Sequence, residues 1–364
     1  MKCIRLRNEK KYVKDFLSLP KKLYAADENM ESPDSVRQML AGKHPLSKYF
    51  TLDAFLIYDG KEPVGRFAIT IYPEDDTAYL GFFECVMDKE AAAFLFSEAE
   101  KFCRERRCRT IIGPVDASFW LKYRLKINQF DLPPYTGEPY NKEYYYAFFL
   151  ENGYKVKEHY TSNTYRALDE NYVNEKYENR YHDFLESGYR IESPKAEDYA
   201  SAMNAVYDMI TELYSDFPVY KHVSRDDFMT MFQSYQSIMN MSMTKMAYYQ
   251  DKAVGFYISV PDYSNRVYHL NPVNLVKILR IKKNPERYVM LYMGVDQDHR
   301  GLGKAIVYSI MKELEHNGLP SIGALARDGK VTQTYAAEEI RNVYEYVLLE
   351  HVLTDDNAEK VKGE

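Results

Sequence analysis

"GVDQDHRGLGKAIVYSIMKELEHNG", Gly294 to Gly318, leaves a strand and enters a helix. The β-prone run "RYVMLYMGV" leads in, and Gly301 and Gly303 turn the chain. Ile306, Ile310 and Leu314 then recur at helical spacing beside Val307 and Met311, and Gly318 stops the helix. A strand that enters a helix through glycines offers unpaired backbone N–H groups and the positive end of a helix dipole, which suits an anion such as phosphate. Two ligand classes fail on named residues. A nucleoside-triphosphate loop needs Gly where Asp298 stands and Ser or Thr where Ala305 stands. A dinucleotide fingerprint needs Gly or Ala at Ile306 and a parallel βαβ context that the flanks lack.

Working outward, "MAYYQDKAVGFYISV" (Met246 to Val260) reads as a hairpin, and "FLIYDGKEPVGRFAITI" (Phe55 to Ile71) repeats it half a chain earlier. The first hairpin is followed by a strand "AYLGFFEC" and by Asp88 as a helix N-cap. Ala92, Leu95, Phe96, Ala99, Phe102 and Cys103 then fall on one helical face. A strand "RTIIGPV" comes next, with Gly113-Pro114 as a plain terminator or as a border of the acceptor site. In "NKEYYYAFFLENGYKVKEHYTSNTYRA" a helix, a turn at Gly153 and a final strand follow, the Tyr144 to Tyr146 run packing against the sheet. In the second half an insertion from Pro261 to Pro285 precedes the strand before the turn. "SIGALA", a helix through "KVTQTYAAEE" and a strand "VYEYVLLEH" complete that half. The expected division is a domain over 1–167, a helical linker over 168–188, a second domain over 189–353 and a frayed tail over 354–364.

The 364 residues are 46% hydrophobic and 28% charged, the balance of a soluble globular chain and long enough for two domains. The opening "MKCIRLRNEKKYVKDF" scatters charge where a secretory signal needs an apolar segment, and no apolar run approaches the roughly 20 residues that span a bilayer. The expectation is a cytoplasmic protein with no membrane partner. Cys3, Cys85, Cys103 and Cys108 have no metal-site spacing and the histidines form no H-x-x-x-H pair, so no metal is expected. The formal charge of −6 speaks against a nucleic-acid partner. The densest basic segment, "VKILRIKK" (Val276 to Lys283), reads as a solvated helix face, with a phosphorylated ligand as the alternative.

Arg300-Gly301-Leu302-Gly303-Lys304-Ala305 matches R/Q-x-x-G-x-G/A, and in this context the chain resembles the GNAT acyltransferases. "KHPLSKYFTLDAFLIYDGKEPVGRFA", "GFFE" and "IIGPVDAS" further resemble a bacterial family of tandem GNAT proteins. The resemblance implies an α/β (α+β) fold of two tandem GNAT-like domains, each a mixed, mainly antiparallel sheet flanked by helices. Cys85-Val86-Met87-Asp88 stands where the first half would carry the loop, so only the second half should hold a donor.

The implied activity is N-acyltransfer of acyl groups other than amino-acyl, from acetyl-CoA or another acyl-CoA as co-substrate to a small-molecule amine or a peptide. The N–H groups of Gly301, Leu302, Gly303, Lys304 and Ala305 would cradle a diphosphate, and Arg300 would shape the loop. Met293, Gly294 and Val295 would flank the pantetheine arm. Tyr335 stands where the superfamily often carries the tyrosine that protonates the leaving thiolate, with Asp328 where Asn is common; among 35 tyrosines, a packing role is the competing reading. Glu84 is a candidate acceptor-pocket residue, the competing reading being an exposed carboxylate at a strand end. Segments 196–215 and 224–237 would border the acceptor. Two other functions fit this outline, an aminoacyl-tRNA dependent peptidyl transferase and a non-catalytic CoA-binding module.

Overall fold

Both hairpins read from the repeat are formed, and each seeds one of two compact units. The computed structural model describes residues 1–353 other than 8 and 74; the tail expected over 354–364 lies outside the described residues.

In the first unit, strand β1 (Lys2–Arg5) pairs antiparallel with β2 (Thr51–Asp59), and helices α1 (Lys10–Leu23) and α2 (Pro33–Leu40) lie between them in sequence. The hairpin is β2 with β3 (Glu62–Ile71), and β3 pairs antiparallel with β4 (Thr77–Cys85). Next to β4, β5 (Thr110–Gly113) is parallel, which requires a crossover, and α3 (Lys89–Glu105) supplies it. Asp88 caps α3 by accepting from the Glu90 and Ala91 amides. The stripe from Ala92 to Cys103 is buried on the sheet. Short strands β6 (Val115–Asp116), β7 (Lys122–Tyr123) and β8 (Leu125–Lys126) precede α4 (Tyr145–Glu151), whose Tyr145 and Phe149 pack edge-on or tilted against Phe83.

The second unit repeats this plan. After β9 (Lys155–Tyr165) and α5 (Glu175–Glu186), β10 (Tyr189–Glu192) pairs with β11 (Lys245–Tyr249), and α6 (Tyr199–Leu213) and α7 (Arg225–Phe232) lie between them in sequence. The hairpin is β11 with β12 (Lys252–Pro261). Helix α8 (Pro272–Lys283) occupies the insertion. The strand β13 (Tyr288–Val295) is antiparallel to β12, and α9 (Leu302–Asn317) crosses over to the parallel β14 (Ser321–Arg327). Ile306, Ile310 and Leu314 are buried, and Gly318 closes the helix with a left-handed φ of 62°.

The last strands depart from the sequence reading. Leu349–Val352 of β15 (Ile340–Val352) pairs antiparallel with β5, whereas Tyr160–Tyr165 of β9 pairs with β14. The first unit therefore consists of Met1–Pro133, Pro139–His159 and the chain from Glu345 onward; the second consists of Pro134–Glu138 and Tyr160–Tyr344. Each half of the sequence gives its final strand to the other half's sheet, so "VYEYVLLEH" does not complete the second half. Both strands are aliphatic and aromatic, and their partners are set by non-local pairing that sequence order does not report.

The helix expected through Lys330–Glu339 is also absent. Two short 3₁₀ turns, Val331–Thr334 and Ala337–Glu339, flank an extended Tyr335 and an Ala336 at φ 47°. Val331, Thr332 and Thr334 are β-branched and disfavour the α conformation.

Candidate active site in the second unit

Strands β13 and β14 are paired only from Tyr288–Met290 to Ser321–Gly323; beyond that, among the described residues, they part. The register between β12 and β13 slips by one residue between the pairs Ile258↔Tyr292 and Ser259↔Met290, leaving Leu291 as a bulge where the strands begin to diverge. The result is a wedge walled by the far end of β13. Gly294 is required there, because a Cβ would lie 2.5 Å from the Phe256 ring and 2.7 Å from Leu213. The Met293 carbonyl accepts from the Tyr214 hydroxyl at 3.0 Å. Val295 ends the strand opposite Gly255.

The loop from Asp296 to Gly301 joins this strand to α9. Asp296 is neutralised in place: its carboxylate accepts from the Asp298 amide and pairs with Lys252, which together hold its pKa below the usual carboxylate value. His299 is fixed by a 2.7 Å hydrogen bond to the Tyr189 hydroxyl, and Tyr189 stacks on Tyr249. Gly301 caps α9 at φ 92°, a conformation that glycine adopts at little cost.

The five expected N–H donors are not equivalent. Leu302 donates to the His299 carbonyl and Lys304 to the Gly301 carbonyl, both at 3.2 Å. The Gly301, Gly303 and Ala305 amides have no backbone acceptor among the described residues. Three amides, two of them on the buried residues Gly303 and Ala305, and the helix dipole therefore remain for an anion, a smaller cradle than five open donors. Leu302 and Ala305 are fully buried and act as packing, leaving the loop's surface to Arg300, Gly301 and Lys304.

Tyr335 comes to this place from its extended segment. A Cβ on Gly303 would lie 2.3 Å from the Tyr335 hydroxyl and 3.2 Å from the Met293 methyl, so Gly303, Met293 and Tyr335 converge. The Tyr335 hydroxyl has no hydrogen-bond partner among the described residues, and burial, with Tyr177 nearby, pushes its pKa up to about 12. The Tyr335 carbonyl accepts from the Tyr165 hydroxyl at 3.0 Å, and the Ala336 amide donates to the Tyr177 hydroxyl at 3.0 Å. Two other tyrosines thus fix the backbone that aims this phenol. Asp328 accepts instead from Gln333, which braces the same segment.

Arg180 is a member of the site that the sequence does not signal. It lies on α5, where Tyr177 is buried and Tyr181 and Phe184 pack against the buried residues of α9, while the Tyr308 hydroxyl of α9 donates to Glu178 at 2.9 Å. Packing along α9 carries Arg180 to that helix's N-terminus: a Cβ on Gly301 would come within 3.9 Å of the guanidinium. The side chains of Arg180, Arg300 and Lys304 have neither ion pair nor hydrogen bond among the described residues. Three cations without partners on or beside a loop with open amides are chemically suited to an anion of several charges.

Glu84 belongs to the first unit and is buried, which overturns the reading of an exposed strand-end carboxylate. It accepts from Tyr145 at 2.6 Å and Tyr24 at 2.9 Å, with an Arg66 nitrogen at 3.8 Å. Burial raises its pKa, and Arg66 opposes that rise. Arg66 is itself fully buried, pairs with Glu31 and donates to the Phe16 carbonyl at 2.7 Å.

The first unit's own strand divergence is closed. There β4 and β5 pair only from Thr77–Tyr79 to Thr110–Ile112, and the register of β4 slips near Phe82, whose φ is 48°. Val115 and Asp116 fill the opening: a Cβ on Gly81 would lie 1.9 Å from the Val115 carbonyl oxygen. The Phe82 amide, left free by the slip, donates to the Asp116 carboxylate at 2.5 Å.

Among the described residues no group of three His, Cys, Asp or Glu side chains is placed to hold a metal ion, and no helix is long and apolar enough to cross a membrane.

No family model matches the chain. Among curated proteins, Protein YghO of Escherichia coli (strain K12) is 27% identical over 159 residues, 42% of this chain and 41% of that protein, so the match spans about two fifths of the relative's length. Among solved structures, a tandem GNAT protein from the clavulanic acid biosynthesis pathway aligns over 97% of this chain and 99% of its own, with a TM-score of 0.53 and 11% identity. A GCN5-related glucosamine N-acetyltransferase region of a fungal multi-domain GH3 β-N-acetylglucosaminidase aligns over 96% of this chain and 38% of its own, with a TM-score of 0.53 and 15% identity.

Proposed function

The chain has the tandem GNAT fold, and from that premise we propose that it is an acyl-CoA dependent N-acyltransferase whose second unit holds the donor. One observation carries the reading: the Gly301 and Gly303 amides are free at the N-terminus of α9, with the Arg180 guanidinium beside Gly301 and with Arg300 and Lys304 as the loop's own cations. These residues fit the diphosphate of coenzyme A, and the third cation leaves capacity for its remaining phosphate. The filled wedge of the first unit offers no equivalent place.

Acetyl-CoA, when bound, supplies the acyl group as a thioester. The far end of β13, from Met293 to Val295, would border the pantetheine arm; β14 does not pair with that strand end, and the Tyr214 hydroxyl meets the Met293 carbonyl there. A neutral amine forms the new C–N bond as the C–S bond breaks. The Tyr335 hydroxyl, which keeps its proton across the physiological range, gives it to the departing sulfur, and the acceptor nitrogen loses its extra proton to water. An amine on a small molecule or a peptide is the proposed acceptor class.

Calorimetric titration of acetyl-CoA tests the donor site. The wild type should bind, and Gly303→Glu, which sets a carboxylate and its bulk against Tyr335, should weaken binding by roughly a hundredfold or more. Absence of wild-type binding, or unchanged binding by the variant, overturns the reading. Production of free thiol with a panel of amines then separates an enzyme from a module that only binds.

A further inference from the structure

Helix α8 breaks the pattern by which this chain buries its aliphatic side chains. Leu270 is 67% exposed, Val273 63%, Leu275 49%, Val276 62% and Leu279 66%, and within the helix only Ile278 is buried. The helix is nevertheless well built. Asn271 caps it by accepting from the Asn274 amide, and Pro272 opens it, where a proline fits best. Ile278 and the Lys282 ammonium, which donates to the Ser237 carbonyl at 2.7 Å, fix the side that faces the protein.

At 3.6 residues per turn, Val273, Val276 and Leu279 share the outer face with Arg280 and Lys283, aliphatic over the first two turns and cationic over the last. No residue of α8 is acidic. Lys277, Arg280 and Lys283 make no ion pair or hydrogen bond among the described residues. A purely solvated basic face would be polar throughout, and this one is not.

We propose that α8 seats the protein on an anionic lipid surface, its aliphatic side chains entering the boundary between headgroups and acyl chains while Lys277, Arg280 and Lys283 meet the headgroups. Charge complementarity selects this occupant: the helix is locally cationic in a chain of net charge −6, so an anionic plane attracts this face against the overall charge of the chain. A second copy is disfavoured, because two such faces would set like charges together. Five aliphatic side chains also fall short of the ~800 Å² per partner of a standard protein interface. The sequence-based expectation of no membrane partner rested on the lack of a spanning run, and a helix lying on a surface needs none.

The full chain should co-sediment with mixed phosphatidylcholine and phosphatidylglycerol vesicles, not with phosphatidylcholine alone, and should be released as salt is raised. Val276→Asp with Leu279→Asp should lower binding by roughly tenfold or more, as should Lys277→Glu with Arg280→Glu and Lys283→Glu. Acetyl-CoA affinity and melting temperature should stay at wild-type values in both, which keeps this proposal separate from the donor site. Failure to bind mixed vesicles overturns it, and so does equal binding by both variants. If sedimentation equilibrium shows a dimer that Leu279→Asp dissolves, or if only an acidic soluble protein is captured, with no vesicle binding, the surface belongs to a protein and the lipid assignment is wrong.

Discussion

The two units carry the same strand plan to the same decisive point and then diverge. In each, a parallel pair opens beside a bulge, at Phe82 in the first and Leu291 in the second. The first fills the opening with Val115 and Asp116 and satisfies the Phe82 amide from within. The second leaves it unfilled by its own strands, leaves amides of the next helix without acceptors and sets Arg180 beside Gly301 without a partner. Even the helix starts differ: Asp88 caps α3 with a carboxylate, which satisfies the donors and repels an anion, whereas Gly301 caps α9 with no side chain. Retained architecture thus tracks packing, while retained chemistry tracks which polar groups stay unpaired.

The largest effect should come from reopening the filled wedge. Gly81→Ala puts a Cβ against backbone that cannot turn aside, and should destabilise the first unit by about 3 kcal/mol or more, seen as a melting transition lowered by roughly 10 °C. A variant that melts like the wild type would show the closure to be soft. Next, Tyr335→Phe should lower kcat by roughly a hundredfold with little change in acetyl-CoA affinity. Because Tyr335 titrates at about 12, the wild-type rate should show no alkaline decline up to pH 10, and a fall near pH 10 would point to another acid. Arg180→Ala should weaken acetyl-CoA binding by about tenfold, with the loss shrinking as salt rises; calorimetry at two ionic strengths reads both.

Glu84 gives the smallest change and an opposite sign to most carboxylates. Its native pKa is raised, so as pH climbs through the ordinary carboxylate range the unfolded chain releases a proton that the folded chain retains. Stability from this group therefore falls with rising pH until Glu84 ionises in the folded state. Glu84→Gln removes that slope, so the melting temperature of the variant relative to wild type should increase from pH 5 to pH 8. Parallel curves would mean that Arg66 and the two tyrosines hold the carboxylate ionised.

Much of this was legible because its signals are local. Gly301, Gly303 and the Ile306, Ile310, Leu314 stripe state a strand, turn and helix within one window, and Asp88 announces the start of α3 in the same way. Arg180 was hidden in a charged, tyrosine-rich stretch, since only the packing of α5 along α9 brings it to Gly301. The burial of Glu84 was hidden for a related reason: its partners Tyr24, Arg66 and Tyr145 are far away in sequence. The bulge at Leu291 and the exchanged strands are matters of register, which alternating side chains alone do not determine.

The exchanged strands bear on how the protein is made. During synthesis at roughly 5–20 residues per second, β5 emerges early beside β4 but gains its second neighbour only when translation has passed Val352. The N-terminal sheet must therefore wait with one edge bare while the rest of the chain is threaded out, a delay during which a chaperone or a stray strand could claim that edge. Cutting the gene in the middle would yield two products, each deprived of a strand that the other carries.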